Sequence, residues 1–114
     1  MTRTLRDYLE DMWNAAKEVL EFTKGMSFEE FRRDRKTVNA VIRSLEVLGE
    51  AAKKIPENVR AKYPDVPWRE IAGMRDKLIH EYHGVDLQIV WKTVQNEIPP
   101  LLPILERMAT EGEF

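Results

Sequence analysis

Leu5, Leu9, Met12, Ala16 and Val19 follow one another at intervals of four and three residues, the repeat of a single buried helical face. Gly25 then stands where a helix can stop, so the pattern predicts a first helix over about residues 3 to 24, its stripe widened by Trp13 and Leu20. Ser27 followed by Glu30 is a capping-box signature, and a short turn of helix is expected from Phe28 into the cluster Arg32, Arg33, Arg35, Lys36. The strongest helical stripe comes next: Val38, Val41, Ile42, Leu45, Leu48, Ala52 and Ile55, closed by Pro56, which places a helix at about 35 to 55.

Residues 56–67, PENVRAKYPDVP, hold three prolines and fit a connector with one short helical turn. Asp65 is expected to cap the next helix, with Pro67 in its first turn, and WREIAGMRDKLIHEYH runs from there to Gly84. Asp86 is the next expected cap. The last helix, LQIVWKTVQNEI, meets Pro99, Pro100 and Pro103, which should kink or divide it before LLPILERMA resumes the pattern, and residues 110–114 are expected to fray. No segment alternates apolar and polar residues long enough for a strand. The expected fold is therefore all-α: one domain over residues 1–114, an antiparallel bundle of four main helices plus a short one.

Composition narrows the function. With 43% apolar and 33% charged residues, the chain has the make-up of a water-soluble globular domain. The absence of cysteine removes thiol catalysis and fits a reducing cytoplasm. No apolar run reaches the length of a membrane span and MTRTLRDYLEDMW is amphipathic rather than signal-like, so a cytoplasmic protein without membrane contact is expected. A net charge of -2 means that any nucleic-acid contact must come from a local basic patch. Two histidines with dispersed carboxylates make no metal site, and no cofactor is called for.

One helix breaks the rule of apolar inside and polar outside. Trp68, Ile71, Ala72, Leu78, Ile79 and Tyr82 share a broad face, and Arg75 falls within it. A buried guanidinium is costly without a partner, so this face is either paired internally, with Glu46 or Glu50 as candidates, or opens onto a cleft or a second subunit. Asp76, His80 and His83 lie along the adjoining edge, with Gly73 two turns before His80, where a helical glycine suggests close approach by another backbone. Arginine can hold a phosphate bidentately and histidine can exchange a proton near neutral pH, a combination suited to phosphodiester cleavage. In RNA the 2′-hydroxyl is a built-in nucleophile, so a site without metal needs only a base, an acid and a cation. A two-fold dimer would supply two histidines and two arginines to one groove.

Taken alone, Arg-x4-His is a short pattern: ten arginines and two histidines among 114 residues give roughly 0.2 expected matches at any fixed spacing. Arg75 as a salt-bridged core residue and Tyr82 as core packing stand beside the catalytic reading. Arg32, Arg33, Arg35 and Lys36 are either an RNA-attracting surface or a solvated face diluted by Glu29, Glu30 and Asp34. Lys53 and Lys54, near a helix C-terminus, fit the helix dipole. His83 could assist catalysis, contact RNA or cap the helix end.

The longer run GMRDKLIHEYHGVD, residues 73–86, resembles the signature of the HEPN superfamily, and Arg75-x4-His80-x-Tyr82 resembles its HepT branch in particular. The likeness extends over about residues 4 to 106. It implies a dimeric α-helical toxin of a type VII-like toxin–antitoxin pair, a metal-independent RNase with two Arg/His motifs at the dimer interface. Arg75 would bind phosphate and His80 would be the acid or base. Asparagine often follows the arginine in that family, whereas here it is Asp76, whose charge is unfavourable beside a phosphate unless it orients His80 or pairs with Arg75. The resemblance further implies an MNT-type nucleotidyltransferase antitoxin that transfers AMP from ATP to Tyr82. The alternatives are a non-catalytic nucleotide- or RNA-binding helper of a nucleotidyltransferase and a purely structural dimerising bundle.

Overall fold

A computed structural model describes residues 2–80 and 84–112, with the side chains of Arg75, Lys77, Ile79 and His80 outside the description. Its elements are α1 (Leu5–Thr23), α2 (Phe28–Arg33), α3 (Arg35–Lys53), α4 (Glu57–Arg60), α5 (Trp68–His80), α6 (Leu87–Lys92), a π-helical turn (Thr93–Glu97) and α7 (Ile98–Glu111). No strand occurs among the described residues. The protein is all-α, and the four long helices are α1, α3, α5 and α7.

The caps explain where these helices begin. Thr4 and Asp7 form a capping box at α1, and Ser27 and Glu30 form the expected one at α2, where the Glu30 backbone N–H donates to the Ser27 hydroxyl at 3.1 Å. Asp34 accepts from the Thr37 N–H at 3.1 Å, and Asp86 accepts from the Gln88 N–H at 2.9 Å. Backbone N–H donors hold the Asp7, Glu30 and Asp34 carboxyls below their ordinary range, because the bonds favour the charged form. Gly25 follows the end of α1 with φ of 76°, a left-handed conformation that only glycine adopts without strain.

One local expectation changes. The N-cap position of α5 falls to Pro67, whose carbonyl accepts from Ile71 N–H at 3.0 Å, so Asp65 lies two residues too early to cap it. The last helical segment is divided just before its prolines: Thr93–Glu97 widens to π geometry, with the Ile98 N–H bonded to the Thr93 carbonyl, and α7 then starts with Pro99 and Pro100 in its first turn, where their missing N–H groups cost least, and carries Pro103 within it. α7 runs to Glu111, and Arg6 donates to the Ala109 carbonyl and, at 2.8 Å, to that of Gly112.

Packing follows the stripes. α1 lies between α3 and α7, and α3 lies between α1 and α5. Tyr8 near the start of α1 and Lys54 just after α3 line one surface pocket, and Arg6 meets the end of α7, so α1 runs antiparallel to α3 and to α7; Lys53 of α3 meets Asp76 of α5. Met12, Val19, Val41, Leu48, Leu105 and Met108 are completely buried at the centre. Phe31 is also completely buried and meets Trp91 at 5.1 Å between ring centroids, which ties α2 to α6. α6 follows the motif segment directly in the chain, so this aromatic contact anchors its far side.

Candidate active site

α5 forms because its apolar positions have somewhere to go. Ile71 and Leu78 are buried against α3, while Trp68, Ala72 and Met74 are half-buried. Trp68 is further fixed by its indole N–H, which donates to the Tyr63 carbonyl at 3.1 Å. This packing holds one uninterrupted helix on which the backbone positions of Arg75 and His80 are separated by about 7.5 Å along the axis, from five residues at 1.5 Å each. The roles suggested for their side chains, and for Tyr82 and His83, lie outside the described residues.

Asp76 is the motif side chain the structure does describe. Its carboxylate oxygen Oδ1 accepts from Lys53 Nζ at 2.7 Å, a charge-assisted bond that crosses from α3 to α5. The helix dipole accounts for only part of Lys53, since its ammonium also neutralises the acid next to Arg75. Nothing local signals this pair, because its members are 23 residues apart on two helices. Glu46 lies 3.7 Å from Arg43 on its own helix, and its suggested pairing with Arg75 lies outside the described residues.

No backbone among the described residues comes close to Gly73. A Cβ placed there meets none of their atoms within 4 Å, so among the described residues the glycine leaves an open edge along α5. Gly73→Ala is therefore expected to raise the folding stability of the protomer by up to about 1 kcal/mol, through helix propensity and a less flexible unfolded chain. Thermal unfolding checks this; a loss of stability would contradict it.

The basic cluster is divided. Arg32 Nη2 bonds Glu29 at 2.7 Å and Arg33 lies 3.8 Å from the same carboxylate, while Arg35 and Lys36 are exposed at the start of α3. Arg35 and Lys53 occupy opposite ends of α3, about 27 Å apart along its axis, so the cluster is not part of the Asp76 edge.

A cavity of about 140 Å³ lies between α3, α5 and α6, lined mainly by Leu45, Met74, Leu78, Val85, Ile89 and Val90. Its apolar wall offers little to a phosphate, and the Asp86 side chain beside it caps α6. Among the described residues no three His, Asp or Glu side chains cluster as a metal site would require. No described helix is long and apolar enough to cross a membrane.

An all-α bundle that carries an Arg-x4-His motif on one continuous helix has the form of a HEPN-type protein. The chain matches the family described as "Ribonuclease HepT-like" over residues 12–108. It is 50% identical over 108 residues to "Probable ribonuclease HepT" of Thermococcus cleftensis, covering 95% of this chain and 98% of the relative. It is also 50% identical over 99 residues to a protein of Caldanaerobacter subterraneus named "Putative RNase TTE0752", covering 87% and 88%. A Methanocaldococcus jannaschii protein named "Putative RNase MJ0125" is 46% identical over 111 residues, covering 97% and 96%. No solved structure matches. The protein belongs to the HepT-like ribonuclease family.

Proposed function

We propose that this chain is the toxin of a type VII-like toxin–antitoxin system: a cytoplasmic, homodimeric endoribonuclease that cleaves RNA without a metal. The observation that carries the reading is the pairing of Arg75 and His80 on one uninterrupted helix in a chain matched by a ribonuclease family along most of its length. The open edge at Gly73 supports a second copy of α5 packing nearby.

In the dimer groove the 2′-hydroxyl of RNA attacks the adjacent phosphorus while His80 of one protomer takes its proton. The bond to the 5′-oxygen breaks, and His80 of the other protomer returns a proton to that leaving oxygen. The products are a 2′,3′-cyclic phosphate and a 5′-hydroxyl. Arg75 holds the non-bridging oxygens, where negative charge builds in the transition state. Asp76 and His83 support the site, and Arg32, Arg33, Arg35 and Lys36 contact phosphates farther along the strand.

The partner is an MNT-type nucleotidyltransferase antitoxin. It joins the Tyr82 oxygen to the α-phosphorus of ATP and releases pyrophosphate. The added AMP is bulky and anionic, two residues from His80, and it blocks the place an RNA phosphate must enter. Incubation with ATP, Mg²⁺ and the nucleotidyltransferase encoded beside this protein is expected to add AMP to Tyr82 and abolish cleavage in proportion. Tyr82→Phe is expected to take up no AMP and to be insensitive to that treatment. Full cleavage by the fully modified protein, or AMP on another residue, contradicts the proposal.

A further inference from the structure

We propose that Lys53 is a positioning residue of the ribonuclease site, supplied by α3 to cancel the charge of Asp76 so that the edge of α5 accepts an RNA phosphate. This inference rests on the ribonuclease reading of Arg75 and His80. Asp76 follows Arg75 directly and precedes His80 by one helical turn, about 6 Å along the axis. Negative charge on a carboxylate there repels an incoming phosphate.

The fold brings a cation to that position. Lys53 is the last residue of α3, and the packing of α3 on α5 sets its ammonium 2.7 Å from Asp76 Oδ1. Both side chains keep substantial contact with solvent, at 39% and 48% exposure, so the pair lies at the surface where a phosphate can come close. An exposed pair of this kind adds little to folding. Its larger effect is on the local field: the protein as a whole carries a net charge of -2, and a cation beside Asp76 makes the potential along this edge less negative. Lys53 is also fixed in direction by the C-terminal end of α3, whose carbonyl dipoles favour a cation. Lys54, its neighbour, lies on the α1–α3 side with Arg3, Tyr8 and Asp11 and does not substitute for it.

The test is a double-mutant cycle on the full-length protein. Cleavage of a labelled mixed-sequence single-stranded RNA and binding of its uncleavable 2′-deoxy counterpart are measured for the unsubstituted protein, Lys53→Ala, Asp76→Asn and the double variant. Lys53→Ala is expected to lower kcat/KM about tenfold, mostly through KM and RNA affinity. Made on the Asp76→Asn protein, the same change is expected to cost less than about twofold, since no charge remains to cancel. The Lys53→Ala penalty should also shrink as salt is raised from about 0.05 M to 0.5 M, because screening weakens repulsion between exposed charges. A structural role for Lys53 would produce neither the rescue nor this salt dependence, and matching circular dichroism and melting curves verify that each variant is folded.

An equal loss with and without Asp76 would overturn the assignment and make Lys53 a direct RNA contact. No loss on Lys53→Ala would overturn it as well. If the unsubstituted protein cleaves RNA and the His80→Ala protein does not, those failures concern Lys53 alone. If the unsubstituted protein neither cleaves nor binds RNA, the ribonuclease reading falls and the Lys53 assignment falls with it.

Discussion

His80→Ala is expected to lower kcat/KM for RNA cleavage by about 10²–10⁴, the usual contribution of a positioned proton-transfer group. The loss should lie in kcat, since the imidazole acts on the transition state rather than on bound RNA. Arg75→Ala is expected to cost about 10²–10³, with part of the loss in RNA affinity, because a guanidinium both holds the ground-state phosphate and stabilises the charge that builds on it. Arg75→Lys should recover only a fraction: lysine restores the charge as a point but not the planar fork that meets two oxygens together. Single-turnover cleavage at saturating RNA separates the two effects. A His80→Ala protein that cleaves at the normal rate would remove histidine from the chemistry.

The second large effect concerns stability. Phe31→Ala is expected to cost about 3–5 kcal/mol, as a completely buried aromatic is lost and a cavity is left behind. That is a large share of the roughly 5–15 kcal/mol available to a folded domain. The melting temperature should fall by about 10 °C or more, and Phe31→Leu should lie between the two proteins because it refills most of the space. Phe31 joins α2 to Trp91 of α6, so the same substitution is expected to loosen the α6 side of the motif segment before the whole protein melts. Amide hydrogen exchange of α6 at a temperature where α1 and α3 stay protected reads this directly. A change of under about 1 kcal/mol would mean that the site can collapse around the missing ring.

What could be read from the sequence follows the range of each interaction. The stripes of α1 and α3 are long and regular, so expected boundaries of about 3 to 24 and 35 to 55 differ from Leu5–Thr23 and Arg35–Lys53 only at the ends. The Ser27–Glu30 box, the Asp86 cap and the Gly25 stop were equally legible, because each is decided within three or four residues. The division of the last helix near Pro99 and Pro100 was legible too, although the π turn that makes it was not. A local rule failed where two of them competed: Asp65 has capping chemistry, but the helix starts one residue beyond Pro67.

Long-range contacts were the least legible. Phe31 occupies a short helix with no periodic stripe to announce it, yet it is among the most buried side chains. Arg6 reaches across to carbonyls more than 100 residues away and ties the start of α1 to the end of α7. The chemistry divides in the same manner. Arg75, Asp76 and His80 stand out as a motif on one helix, whereas Lys53 is an ordinary lysine until α3 and α5 are packed together. Gly73 shows the converse: its place in a helix pointed to close packing, and the protomer leaves that space open.

The central claim is that the protein cleaves RNA with its own side chains alone. The measurement that tests it most directly is cleavage of RNA by the unsubstituted protein in excess chelator, with His80→Ala as the control. Undiminished cleavage that ends in a 2′,3′-cyclic phosphate and is absent from the His80→Ala protein is the predicted result. Activity that vanishes with chelator and returns with a divalent metal would contradict the account.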